Sequence, residues 1–275
     1  MKLRADQKRN VDMPSEGEQL HTFAVCAYKE SPFLEECVRS LVRQTVKSRI
    51  LIATSTPNDL IRSVAEKYGL PLYIREGASD IRDDWNFAFD QAETPYVTIA
   101  HQDDLYHQDY VKYLLSSVKG KSNVTLFFSD YLPIRHGIIG EKDLNCRIRR
   151  LLRLPIRGHG SSRFWKRAIL SLGNTICCPT VTYCRTNTGQ SPFSSELKFN
   201  IDWDTFYKFA SREGEFVYYD APLAFYRIHD GATSKEFIVD HQREKEDRIM
   251  FRKYWPGWMA DLILYFYKGA YKTYD

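Results

Sequence analysis

The chain has 275 residues, 43% of them hydrophobic and 14% aromatic, and a net charge of +4, which suits a single large domain or two small ones with a sizeable core. No uncharged apolar run approaches the length of a bilayer span, and Met1–Gln19 is too polar for a secretory signal. Six cysteines without a CxxC pair read as reduced thiols of a cytoplasmic protein.

Residues 1–20 read as a flexible leader. Thr22–Ala27 is a first buried strand, ending at Tyr28-Lys29-Glu30. Ser31 is expected to cap a helix with Pro32 at its first position, burying Leu34, Cys37, Val38, Leu41 and Val42 on one face. Arg49–Ala53 is a second strand. Thr56 caps the next helix, with Pro57 at its start, and Gly69 stops it. Pro71–Ile74 is a third strand, Trp85–Ala92 a third helix and Tyr96–Ala100 a fourth strand. This alternation predicts βαβ units, a mostly parallel α/β sheet and strand ends gathered on one edge. Tyr28, Thr54–Thr56 and Asp103 then line one crevice of a nucleotide-binding half.

A helix over 109–119 and a strand Val124–Ser129 continue the pattern, which then breaks. Arg147–Arg167 contains Arg147, Arg149, Arg150, Arg153, Arg157, Arg163, Lys166 and Arg167 and no acid. This run alone exceeds the net charge of the chain, and it reads as helix, loop and helix. An apolar stretch, Ile176–Cys184, follows, and then a helix at Asn200–Ser211 with acids in its first turn. Phe216–Tyr219 and Leu223–Ile228 read as two strands around a turn at Asp220-Ala221-Pro222. A charged helix over 235–253 is broken by Pro256-Gly257, and the aromatic tail from Trp258 to Tyr271 is helical in period. No repeat or low-complexity linker divides the chain. The expected organisation is a leader (1–20), one domain (21–255) and a C-terminal aromatic helix (256–275). The domain comprises a nucleotide-binding half (about 21–130) and an acceptor half (131–230).

His101-Gln102-Asp103-Asp104 follows the fourth strand directly. Carboxylates beside a core are costly unless paired, and ligands of open α/β sheets bind at this edge. Two acids there suit a hard divalent cation shared with substrate phosphates; a solvated surface turn is the plainer reading.

Four motifs, in order, resemble the family-two glycosyltransferases of the GT-A fold. They are the opening Cys26–Leu41, the helix Trp85–Ala92, His101–Asp104 in the place of the family's DxD, and Ile201-Asp202-Trp203-Asp204 at the head of its catalytic helix. Tyr226–Ser234 is similar to its closing loop. The resemblance implies an inverting hexosyl- or N-acetylhexosaminyl-transferase that uses a nucleotide-diphosphate sugar, UDP-linked by preference, with Mn²⁺ or Mg²⁺. The acceptor would be a hydroxyl of a glycan or lipid-linked oligosaccharide in surface polysaccharide synthesis. It assigns Asp202 as catalytic base, Asp103 and His229 to the metal, and Ala27, Tyr28, Glu30, Ser55, Asn86, Gln102, Asp103 and Asp104 to the donor. Trp203, Asp204, Arg149 and Arg150 fall on the acceptor side. The chain departs from the pattern at His101, where the first Asp of the DxD stands. It departs again at Thr54–Asp59 and Ile201, where acids are common.

Each assignment has a plainer counterpart. Asp202 is equally a helix N-cap, Trp203 a core residue, His229 a polar residue beside a turn. The basic run captures an anionic acceptor, touches the inner face of an anionic membrane, or is a solvated helix face. No nucleic-acid motif accompanies it. The aromatic tail lies in a membrane interface or docks on the core. A nucleotidyltransferase would want a glycine-rich basic loop where Ala27-Tyr28-Lys29-Glu30 stands. A nucleotide-sugar or glycan-binding module of the same fold, without turnover, is the non-enzymatic alternative.

Overall fold

The computed structural model describes residues 14–141, 144–229 and 242–269. At its centre β1 (His21–Ala27) lies between β2 (Arg49–Thr54) and β4 (Tyr96–His101), all three parallel, and β3 (Leu72–Ile74) extends the β2 edge. β1, β4 and the carboxyl-terminal part of β2 are short apolar runs, buried because helices cover them from either side, while the edge strand β3 is partly exposed. Chain order reverses at β1, with β2 on one side and β4 on the other, so the crevice outside the carboxyl ends of β1 and β4 is a topological switch point.

Beyond β4 the sheet continues with β5 (Leu105–Tyr106), β6 (Val124–Arg135), β7 (Ile138–Ile139), β8 (Thr182–Cys184) and β9 (Glu215–Ile228). β8 runs antiparallel between β4 and β6; β6 and β9 are parallel; β5 pairs antiparallel with β9. A buried polar seam fastens β8 to the first half: Thr98 meets Thr182 at 2.6 Å and His21 at 2.8 Å, and Tyr110 meets Thr182 at 2.9 Å. Burial holds the His21 imidazole neutral, its pKa lowered to about 3.

Several expectations need correction. The leader enters the described residues at Pro14. Ser15 then opens a helix, Glu16–Leu20, through a capping box with Glu18. Ser31 does not cap the first long helix, Leu34–Val42, whose N-cap is Phe33; its hydroxyl is spent elsewhere. Asn58, not Thr56, caps the helix Asp59–Tyr68, because its carboxamide reaches the Ile61 amide at 2.9 Å. The two strands expected on either side of Asp220-Ala221-Pro222 are one strand. β6 is continuous beside both halves, so the turn residues become a bulge where the register steps from Ser129↔Tyr219 to Asp130↔Pro222.

The basic run forms helices Leu144–Arg153, Ile156–His159 and Arg163–Ala168. Much of its charge is spent internally. Arg153, 1% exposed, donates to Asp130 at 2.6 Å and to the Thr175 carbonyl. Arg150 makes a two-pronged bond to Asp220 at 2.6 and 2.7 Å. Lys166 donates to the Arg212 and Gly214 carbonyls, and burial lowers its pKa to about 8. A solvated face describes only part of the run. The charged helix is described over Gln242–Arg252, and its expected first turns at 235–241 lie outside the described residues. The tail forms a helix at Gly257–Tyr267 that buries Ala260 and Leu264. Its Tyr267 ring lies 5.3 Å from Phe251.

Gly160 joins the basic helices to β9. Its carbonyl accepts the Phe216 amide, and a Cβ there would stand 2.2 Å from the Phe216 carbonyl oxygen, which cannot swing away. Gly160→Ala should therefore lower unfolding stability in urea by about 1–3 kcal/mol, the usual cost of overpacking. An unchanged midpoint would show that this seam is looser than its spacing suggests.

Candidate active site

The switch-point crevice opens into a cleft of about 530 Å³. One wall is the carboxyl end of β1. Ala27 and Tyr28 line it, and Gln102 fastens it to the end of β4: the Tyr28 amide donates to Gln102 Oε1, and Gln102 Nε2 donates to the Tyr28 carbonyl, both at 2.9 Å. The floor is the acid motif, whose two carboxylates have opposite fates because adjacent residues diverge from an extended backbone. Asp104 points inward and is 2% exposed; its Oδ1 accepts the Arg227 amide at 2.8 Å and its Oδ2 lies 3.8 Å from His101 Nδ1. Burial pushes its carboxyl well above the usual range. Asp103 points into the cleft. Its Oδ1 accepts the Ser31 hydroxyl at 2.7 Å, and its Oδ2 faces His229 Nε2 at 3.3 Å.

His229 arrives there because β5, directly after the acid motif, pairs with β9 and draws the β9 terminus across it. Arg227 completes the lock, with Nε donating to the Asp103 carbonyl at 2.8 Å and Nη2 to Glu36 at 2.7 Å, while its guanidinium covers the Phe33 ring at 4.3 Å. His229 Nε2 is buried and makes no hydrogen bond. His101 stacks on Trp85 at 5.2 Å, and burial keeps it neutral, its pKa lowered to about 4.

The opposite wall carries Asp202, in the first turn of the helix Ile201–Ala210. Its Oδ2 accepts from Asn174 Nδ2 and its Oδ1 from the Trp203 amide, both at 2.7 Å. Asp202 is not the N-cap; that place belongs to Asn200, whose side chain turns instead to Asp247 at 2.7 Å. The turn is capped from a distance by Glu246, which accepts the amides of Lys198, Phe199 and Asn200 at 2.8–2.9 Å. Burial raises the Asp202 carboxyl to about 6, against the lowering effect of its two hydrogen bonds. The cleft thus holds a carboxylate–imidazole pair on one side and, on the other, a half-buried carboxyl that burial raises to about 6.

Other expected site residues fall elsewhere. Asn86 does not face the cleft; its carboxamide clamps both backbone groups of Phe193 at 2.8 and 2.9 Å. Ser55 donates to Asp84 at 2.9 Å and is not a lining residue, and Glu30 is exposed outside the cleft. Trp203 is fully buried in the core, its indole donating to the Leu170 carbonyl at 3.1 Å, so no face is left for an acceptor ring. Asp204 turns from the cleft into ion pairs with Lys253 and Lys208; burial alone would raise its carboxyl, but hydrogen bonds from Lys253, Ser195 and Lys208 bring it below the usual range. Of the acceptor-side residues only Arg149 lines the cleft; Arg150 is held by Asp220.

Sequence reading missed Trp85 as a lining residue, Asn174, Arg227 and the cluster around Asp84. Asp84 accepts Arg75 Nε at 2.7 Å and Ser79 at 2.8 Å, and with Asp80 it brings acid to the cleft from the helix Ile81–Asp90. Acid is thus present near the end of β2 although Thr54–Asp59 does not line the cleft. The one available signal was the Asp80-Ile81-Arg82-Asp83-Asp84 run. Among the described residues no group of three or more His, Cys, Asp or Glu side chains forms a self-contained metal cluster. None of their helices is long and apolar enough to cross a membrane.

Residues 22–136 match the model of glycosyl transferase family 2. Among solved structures, the chain is similar to a mannosyltransferase from Pyrobaculum calidifontis in complex with GDP-Man and Mn²⁺ (16% identity, TM-score 0.63, 87% of this chain and 65% of that one). It is also similar to residues 1–349 of S. aureus TarS in complex with UDP-GlcNAc (15%, TM-score 0.57, 89% and 70%). A third is glucosyl-3-phosphoglycerate synthase from Mycobacterium tuberculosis with Mn²⁺ and UDP-Glc (13%, TM-score 0.52, 85% and 79%). No curated protein matches the chain significantly.

The placement of Asp204 yields a test. Asp204→Asn keeps the shape but leaves Lys208 and Lys253 facing a neutral group, and should cost about 1–3 kcal/mol in urea unfolding. A loss under about 0.5 kcal/mol, the range of ordinary surface substitutions, would mean that these ion pairs do not hold the helix.

Proposed function

We propose that this chain, which carries a family-2 glycosyltransferase region over residues 22–136 on a GT-A fold, is an inverting glycosyltransferase that uses a nucleotide-diphosphate sugar. The observation that carries the reading is the pairing of two unlike acidic sites in one cleft. Asp103 with His229 suits the diphosphate end, and Asp202, raised to about 6, suits the acceptor end. UDP is the first choice of nucleotide, since similar structures hold UDP-GlcNAc and UDP-Glc and one holds GDP-Man. Tyr28 offers a ring face at the donor wall, with Asp80 and Asp84 lining the same cleft.

The residues fit a divalent cation in one respect that the structure itself supplies. His229 Nε2 is a buried nitrogen without a hydrogen bond, directed at a carboxylate oxygen 3.3 Å away. Two protein donors are what Mg²⁺ or Mn²⁺ needs when phosphates and water complete the shell. Asp103 and His229 would hold the ion, which supplies charge stabilisation to the departing diphosphate. Ser31 fixes the Asp103 rotamer, and Arg227 fixes the backbone that presents His229.

Asp202 accepts the proton of the acceptor hydroxyl. The hydroxyl oxygen forms a bond to the anomeric carbon as the bond from that carbon to the diphosphate breaks, and the electron pair leaves with the nucleoside diphosphate. Asn174 and the Trp203 amide orient the carboxylate and leave the remaining lone pairs for the hydroxyl. General base catalysis contributes about 10²- to 10⁴-fold and works best near the operating pH. Direct attack of the hydroxyl on the anomeric carbon is one displacement and hence inverts it. The acceptor is proposed to be a glycan or lipid-linked hydroxyl, with Arg149 the basic residue placed to meet an anionic group on it.

The experiment is a pH profile of nucleoside diphosphate release from UDP-sugars with Mn²⁺. The base must be ionised, so turnover should rise tenfold per pH unit below about 6 and level off above it. Asp202→Asn should lower turnover by about 10²-fold or more and abolish that limb, while donor affinity stays near wild type. Wild-type turnover in Asp202→Asn would refute the base. Tight donor binding with no turnover in any wild-type preparation would instead favour the binding module.

A further inference from the structure

Two charged residues that line the cleft have no part in the chemistry so far: Arg243 and Asp247, one helical turn apart on the helix Gln242–Arg252. Although they border the cavity, they are only 3% and 1% exposed. The Asn200 carboxamide fixes Asp247 Oδ1 at 2.7 Å, and Asp247 Oδ2 stands 3.7 Å from Arg243 Nε. The Arg243 guanidinium lies over the Phe199 ring at 5.0 Å. Asn200 is also the N-cap of the helix that presents Asp202, so the ion pair is anchored at the head of the proposed base's own helix. Fold stability gives only a weak reason to keep a charged pair there. Buried ion pairs are often no better than apolar residues of similar volume. The turn is held without them, since Glu246 takes the amides of Lys198, Phe199 and Asn200.

We propose that Arg243 and Asp247 determine acceptor specificity by holding a neutral vicinal diol of the acceptor's sugar ring, with the reacting hydroxyl turned toward Asp202. The pairing of the two charges decides the ligand. An anion at Arg243 would meet the Asp247 carboxylate, which Asn200 keeps in place, and a cation at Asp247 would meet the guanidinium. A hydroxyl both donates and accepts. Two adjacent hydroxyls can therefore give a hydrogen bond to Asp247 and take one from Arg243 without separating the ion pair. Hydrogen bonds to charged groups are the stronger kind, which suits them to selection. The inference deepens the glycosyltransferase reading and rests on it for the role of Asp202. It concerns the sugar unit at Asp202 and is separate from the anionic group proposed to meet Arg149.

The test is saturation-transfer NMR on the full chain with UDP and Mg²⁺, using the methyl glycosides of glucose, galactose and mannose as probes. At least one should bind. Monodeoxy analogues of that glycoside should then show two neighbouring hydroxyls whose removal each weakens binding about tenfold, the scale of a lost hydrogen bond to a charged group. The double variant Arg243→Gln/Asp247→Asn removes both charges together, so no buried charge is stranded, and the new amide oxygen can still accept from Asn200. It should weaken the glycoside about tenfold or more while calorimetric UDP affinity stays at the wild-type value. Wild-type glycoside affinity in the double variant overturns the inference. So does a deoxy series without such an adjacent pair, a result that needs only the wild-type protein. Displacement of the glycoside by methyl phosphate, lost in Arg243→Gln, overturns it too, because the site would then take anions. UDP binding with no glycoside binding sinks the subsite and leaves the donor assignment intact. Glycoside binding with the adjacent pair but without UDP binding supports the subsite and counts against the donor assignment.

Discussion

A buried carboxylate holds the two halves of this molecule in register. Asp104 accepts the Arg227 amide, and the next strand, β5, pairs with β9, so the end of the first half of the sheet and β9 are built as one unit. Leaving a buried group without its hydrogen-bond partner typically costs about 1–3 kcal/mol. The functional consequence is positional. Asp103 and His229 are 126 positions apart in the chain, yet neither can move without disturbing the bonds of Arg227 to Glu36, Asp103 and Asp104.

The second wall depends on an analogous device. The Asp202 turn has no side-chain cap of its own, and Glu246 supplies one by taking three successive amides. The helix that carries Glu246 packs through Phe251 against Trp203, with ring centroids 5.2 Å apart, so the residue after the proposed base is the anchor of its helix. The acid at the cleft is therefore held by packing behind it and by Asn174 beside it. A preorganised carboxylate of this kind is oriented before any substrate arrives.

The first half of the fold was legible because its signals are local. Apolar runs of strand length alternate with helical periodicity, and Gly69 takes the left-handed conformation expected of a helix stop. The caps were less legible, since Ser31 and Thr56 are good capping residues that tertiary contacts claim: Ser31 goes to Asp103, and Thr56 accepts the Lys29 amide at 2.6 Å. The single long β9 was hidden by Asp220-Ala221-Pro222, a turn sequence that becomes a bulge only because β6 runs past it. At the site, motif spacing located the strand ends and the helix head. It could not tell which face each residue presents. Asp202 and Asp204 are both acids in one helical turn, but one lines the cleft and the other meets two lysines. Likewise the charge of the basic run was visible, whereas its division between buried struts such as Arg153 and the cleft residue Arg149 depends on partners far along the chain.

The central claim is spatial: a nucleoside diphosphate and its cation sit at the Asp103–His229 side of the cleft, with Asp202 facing them. The most direct measurement is a crystal structure with UDP and Mn²⁺, using anomalous scattering to locate the metal. The account predicts one manganese peak in contact with both Asp103 and His229, diphosphate oxygens completing its shell, and open space between the diphosphate and Asp202. A manganese site away from Asp103 and His229, or UDP bound outside this cleft, would contradict it.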